Sequence, residues 1–144
     1  MSTQEPGAAA ASPLRVLLLD DDPFMLALLE DMLDDLSERL GSVDVASATS
    51  AKAALALVGQ APRDLLVCDL SMPDMDGIEF LRLVAEGHYQ GAVVLLSGMD
   101  AGVLRAAERL AMAQGLAILG ACRKPVAPAA LGELVAQALA RRGP

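Results

Sequence analysis

Asp64-Leu65-Leu66-Val67-Cys68-Asp69-Leu70-Ser71-Met72-Pro73-Asp74-Met75-Asp76-Gly77 is the stretch whose pattern decides the fold. Leu65 to Cys68 form a short apolar run bounded by polar residues, the signature of a strand buried on both faces. Asp69 falls where that run stops, and a carboxylate there is costly to desolvate unless it is paired or used. Pro73 and Gly77 interrupt the pattern before a helical one begins at Ile78, which places Asp69 at the carboxyl end of a strand, beside a loop. In open α/β sheets ligands bind at that edge.

The same punctuation recurs on either side. Leu14 to Leu19 is a second apolar run and ends on Asp20-Asp21-Asp22-Pro23. Asp22 suits an N-cap and Pro23 the first helical position. Phe24, Met25, Leu28, Leu29, Met32, Leu33, Leu36 and Leu40 then recur at helical spacing and predict a core-facing stripe, stopped by Gly41. Val43 to Ala46 predicts a short strand and Ser50 to Val58 an Ala-rich helix. Downstream, a helix is predicted over 78–86, burying Ile78, Leu81 and Val84, and a strand over 92–96. A helix over 101–114 closed by Gly115, a strand over 116–121 and a helix from Pro128 complete the chain. In that last helix Leu131, Leu134, Val135, Ala138 and Leu139 share a face, and Arg141 and Arg142 sit at the negative end of its dipole.

Five strands alternating with five helices imply an α/β fold: a flavodoxin-like, doubly wound, five-stranded parallel sheet of order 2-1-3-4-5. Strands one and three are then neighbours. Asp20, Asp21 and Asp69 converge at one sheet edge, with Ser97 and Lys124 arriving from strands four and five.

At 144 residues the chain is one domain by size. Residues 1–13 lack periodicity and are expected to be a disordered leader to a domain over 14–142. A composition 54% hydrophobic but only 2% aromatic builds the core from Leu, Val, Ala and Met, with Phe24, Phe80 and Tyr89 as its expected rings. No apolar run approaches the roughly 20 residues that span a bilayer, so a soluble, cytoplasmic protein without membrane association is expected. A net charge of −8 argues against binding nucleic acid directly, which calls for a basic stripe. Cys68 and Cys122 stand alone in apolar surroundings and are expected to be small core fillers rather than zinc ligands or a disulfide. Asp74 and Asp76 are expected to be turn and helix-start residues, and His88 and Tyr89 carry no predicted chemistry.

The Asp69 stretch resembles the phospho-acceptor segment of bacterial two-component response regulators, in which an aspartate is followed by a Met-Pro-x-Met-Asp-Gly turn. Asp20-Asp21-Asp22-Pro23, Ser97-Gly98 and Lys124-Pro125 are similar to the other marks of that receiver domain, in the same order. The resemblance spans roughly residues 14 to 140. It implies a phospho-acceptor at Asp69, with Lys124 and Ser97 as its catalytic partners. It implies Mg²⁺ contacted directly by Asp21 and Asp69, through water by Asp20, and by the backbone carbonyl of Ser71. Such a domain takes its phosphoryl group from a sensor histidine kinase or phosphotransfer protein, catalyses only its own phosphorylation and dephosphorylation, and switches a partner-binding surface. Lys124 followed by Pro125 suggests a fixed, cis-compatible peptide that aims the side chain.

Elementary electrostatics agrees with a cation. Three clustered carboxylates repel by roughly 1 to 4 kcal/mol per pair at about 4 Å, and such a cluster takes up protons or a cation. Oxygen-only ligands at a loop-rich edge suit Mg²⁺.

The chain departs from the family at Ala121, three residues before the lysine, where receivers usually carry Tyr or Phe. An aromatic rotamer switch therefore cannot operate, and Ser97 with the loop Gly98-Met99-Asp100 is expected to shift the start of helix four instead. Leu119 to Val126, with the preceding Ala-rich helix, is similar to receivers joined to EAL-type cyclic-di-GMP phosphodiesterase domains. A single-domain receiver, a fragment of a longer regulator and a homodimer all fit the sequence. Two rivals stand beside this reading. One is a degenerate receiver that serves as a constitutive docking module. The other is a haloacid-dehalogenase-type phosphatase, suggested by Leu17 to Asp22 but opposed by Pro23 and Phe24 and by an Asp69 it leaves unexplained.

Overall fold

A computed structural model describes residues 12–73, 77–98 and 101–142. The chain alternates β1 (Leu14–Leu19), α1 (Pro23–Leu40), β2 (Val43–Ala48), α2 (Ala51–Gln60), β3 (Leu65–Asp69), α3 (Gly77–Glu86), β4 (Ala92–Ser97), α4 (Ala101–Ala113), β5 (Ala117–Arg123) and α5 (Pro128–Arg142). The strands form one parallel sheet of order β2-β1-β3-β4-β5, as the alternation predicts. Residues 1–11 of the expected leader, and Asp74, Asp76, Met99 and Asp100, lie outside the described residues.

Side-chain alternation sorts the core into two layers. Leu14, Val16, Leu18, Leu65, Val67, Val94 and Leu96 pack on one face against α1 and α5. Leu17, Leu19, Leu66, Cys68, Val93 and Leu95 pack on the other against α2, α3 and α4. Both faces of β1, β3 and β4 are thus covered, which is why these strands are written as continuous apolar runs. Capping follows the sequence. The Asp22 side chain accepts from the N–H of Phe24, and the Ser50 hydroxyl from that of Ala53. Gly41, at a φ of 105°, ends α1 in a conformation that favours glycine. Gly91 is required by close approach, since a Cβ there would lie 2.4 Å from the Arg63 carbonyl oxygen.

Several boundaries and core assignments differ from expectation. Phe24 is 71% exposed and Leu28 lies at the surface, while Leu26, Leu29, Leu33 and Leu36 form the buried stripe of α1. Phe24 and Leu28 lie on the side of the helix opposite that stripe, whereas Met25 and Leu26 of the same turn pack on the core. In α3 the buried residues are Phe80, Leu81 and Val84, with Ile78 only partly buried. Tyr89 is partly buried, its hydroxyl donating to the Ala92 carbonyl at 3.0 Å. Strand β2 runs two residues further than predicted because its pairing with β1 continues to Leu19↔Ala48. Strand β5 extends to Arg123, paired with Ser97, and absorbs an irregularity opposite Val93 and Val94.

Because Leu33 is fully buried between α1 and the sheet, Leu33→Ala should cost about 2–5 kcal/mol in urea unfolding. Leu110→Ala, at a half-exposed position of α4, should stay within about 0.5 kcal/mol.

Candidate functional site

The register of the sheet builds the site. Leu19 pairs with Cys68, so the next residues, Asp20 and Asp69, lie side by side where β1 and β3 end. Ser97 pairs with Arg123, which sets Lys124 one step beyond β5. By strand alternation Asp20, Asp69 and Lys124 share the face of Leu18, Val67 and Cys122.

Their side chains meet. The Lys124 ammonium donates to Asp20 Oδ2 at 2.8 Å and to Asp69 Oδ2 at 3.0 Å. Asp20 is 0% exposed and Asp69 1%, so one cation serves two carboxylates removed from water. The remaining oxygens take backbone donors. Asp20 Oδ1 accepts the Asp22 N–H at 2.9 Å, and Asp69 Oδ1 accepts the Ser71 N–H at 2.8 Å. Asp21 is exposed, but carboxylate oxygens of Asp20, Asp21 and Asp69 all lie within 4.8 Å of one another. Three carboxylates against one ammonium leave the pocket negative, and its donor set is oxygen only, so the residues present fit a hard divalent cation. The Lys124–Pro125 peptide is cis.

Burial pushes the Asp69 carboxyl above the ordinary range, and the Asp20 charge adds to this, against the lowering effect of the Ser71 N–H and of Lys124. Burial works to lower Lys124, but its bonds to Asp20 and Asp69 outweigh that and raise it. Cys68, next to Asp69 but on the opposite face, has its thiol pushed far up, first by burial and then by the Asp69 and Asp20 charges. Burial raises Cys122 too, so both behave as the apolar fillers expected.

Ser97, at the end of β4, is fully buried, with its Oγ 3.4 Å from that of Ser71. The resemblance implies only a backbone carbonyl for Ser71. Its hydroxyl also accepts the Gly98 N–H at 3.0 Å, a contact between residues 27 apart that no local motif signals. Nor does any sequence motif signal the direct pairing of Asp20 with Lys124. Ala121, opposite Leu95 on β5, packs partly buried against the layer under α3 and α4.

The response regulator receiver domain model matches residues 16–136. The chain belongs to the receiver family of two-component signalling. A response regulator from Colwellia psychrerythraea superposes with a TM-score of 0.75 at 33% identity, covering 90% of this chain and 99% of that one. Response regulator protein PilR of Pseudomonas aeruginosa is 32% identical over 90% of this receiver and 27% of its own length. Cyclic di-GMP phosphodiesterase RocR of the same species is 29% identical over 90% of this receiver and 32% of its own length. The chain spans about a third of the length of the curated relatives it matches. Family membership retires the dehalogenase-type reading of Leu17 to Asp22. Among the described residues no helix is long and apolar enough to cross a membrane.

The raised Asp69 value has a thermodynamic consequence with a definite sign. A carboxyl whose folded value exceeds its unfolded one, about 3.9, favours the fold while protonated and disfavours it progressively as pH rises through the folded value. In EDTA, the stability gain of Asp69→Asn over wild type should therefore grow from about pH 4 upward and level off once Asp69 is ionised. Urea unfolding at a series of pH values measures it, and a gain that shrinks as pH rises would contradict the sign.

Proposed function

We propose that this receiver accepts a phosphoryl group on Asp69 and thereby switches a partner-binding surface. The observation that carries the reading is the buried Asp69 carboxylate, held by Lys124 beside Asp20 and Asp21. An Asp69 oxygen attacks phosphorus as the P–N bond of a kinase phosphohistidine, or the P–O bond of a small acyl phosphate, breaks in line. The leaving imidazole or carboxylate departs with the electron pair, and Asp69 becomes an acyl phosphate. Water later cleaves that bond, releasing orthophosphate and restoring the carboxylate. The domain acts on no separate substrate.

The chain's own contribution is placement and charge. Lys124 keeps a positive charge within 3.0 Å of the acceptor oxygen and can follow the phosphoryl group. Asp21 and Asp69 would hold Mg²⁺ directly, Asp20 through water and Ser71 by its main-chain carbonyl. When bound, the ion supplies positive charge to phosphoryl oxygens. The donor is a sensor histidine kinase or phosphotransfer protein in the cytoplasm. Similarity to RocR supports an EAL-type output, in the same chain or a separate one.

Incubation with acetyl phosphate and Mg²⁺, followed by peptide mass spectrometry, should place one phosphoryl group on Asp69. Label surviving in Asp69→Asn would overturn the assignment, and a folded wild type that takes no label would favour the constitutive docking module. Lys124→Ala should slow labelling by about 10²-fold. Asp21→Ala should weaken Mg²⁺ affinity in a direct titration, and unchanged affinity would move the ion elsewhere.

A further inference from the structure

Ser71 joins the two loops that border the acceptor. Its N–H donates to Asp69 Oδ1, while its Oγ accepts the Gly98 N–H at 3.0 Å and lies 3.4 Å from the Ser97 Oγ. One residue thus holds the carboxylate at the end of β3, the hydroxyl at the end of β4 and the first N–H beyond that strand. Lys124, the pocket's cation, is already shared between Asp20 and Asp69. A phosphoryl group on Asp69 would bring three oxygens that need donors, and the donors ending β4 are those the Ser71 hydroxyl engages.

We propose that the Ser71 hydroxyl is a latch, a positioning residue that holds the Ser97–Gly98 end of β4 in the unphosphorylated arrangement and must release it when Asp69 is phosphorylated. The consequence for switching rests on Asp69 being the acceptor, whereas the latch itself is a property of the unmodified fold. Ser71 and Gly98 are exposed, so water can replace their bond once it breaks. Ser97 is fully buried, so its hydroxyl needs a partner in either arrangement. A contact made in only one of two states biases their equilibrium by its own strength. For one neutral hydrogen bond that amounts to about a two- to tenfold shift.

Ser71→Ala removes the hydroxyl and keeps the N–H that serves Asp69, and Ser71→Thr restores a hydroxyl. Two measurements separate the latch from the acceptor reading. In the unmodified protein, hydrogen exchange at the Gly98 amide should speed up by about two- to tenfold in Ser71→Ala and return toward wild type in Ser71→Thr. With Mg²⁺ present, beryllofluoride, a phosphoryl mimic, should bind Ser71→Ala about two- to tenfold more tightly than wild type. Unchanged Gly98 exchange in Ser71→Ala, or weaker beryllofluoride binding, would overturn the latch. A wild-type protein that binds no beryllofluoride would overturn the acceptor reading instead, leaving Gly98 exchange to judge the latch.

Discussion

The ammonium of Lys124, shared by two carboxylates that have almost no contact with water, is the constraint on which the site depends. Asp20 is 104 residues away in sequence and Asp69 55. Leaving either carboxylate buried and unpaired would carry a desolvation penalty of several kcal/mol. The ends of β1, β3 and β5 must therefore be brought together, and the order β2-β1-β3-β4-β5 does so by making β1 and β3 neighbours and delivering β5 past β4. The pairing is incomplete by design of its charges. One cation cannot neutralise Asp20, Asp69 and the nearby Asp21, and the residual negative charge suits the pocket to a further cation.

Much of this was legible in the sequence because the informative residues mark changes of pattern. Asp20, Asp69, Ser97 and Lys124 each stand where an apolar run ends, and in a parallel sheet all such ends lie on one edge. Parallel strands covered on both faces leave little doubt about which residues are core, and β1, β3 and β4 are buried as their composition predicts.

What stayed hidden depends on which face each element turns to its neighbours and on tertiary register. Phe24 and Leu28 share a helical face with each other as Leu29 and Leu33 do, yet that face lies opposite the buried stripe of Leu26, Leu29, Leu33 and Leu36. Leu26 took the buried place. In α3 the ring of Phe80 is inside as expected, but Ile78 is only partly buried, since the phase of a ten-residue helix is set by its packing rather than by its period. The Ser71 hydroxyl was harder still. Its partners lie 26 and 27 residues away, on a strand end whose distance follows from tertiary register alone.

Ala121 gives the hidden contact its weight. It lies opposite Leu95, in the same layer as Leu104, Ala107 and Ala111 of α4, and offers a methyl group where a ring could have swung between buried and exposed positions. On the proposed function, a signal leaving Asp69 toward α4 travels through the backbone after β4 rather than through a rotating side chain on β5. Gly98 is the first residue on that path, and its N–H is tied to Ser71. On the proposed reading, the hydroxyl two residues past the acceptor resists motion of the same segment that the missing ring would otherwise have helped to report. The chain then keeps a two-state edge by a hydrogen bond between loops, whose strength is set by the single atom Ser71 Oγ.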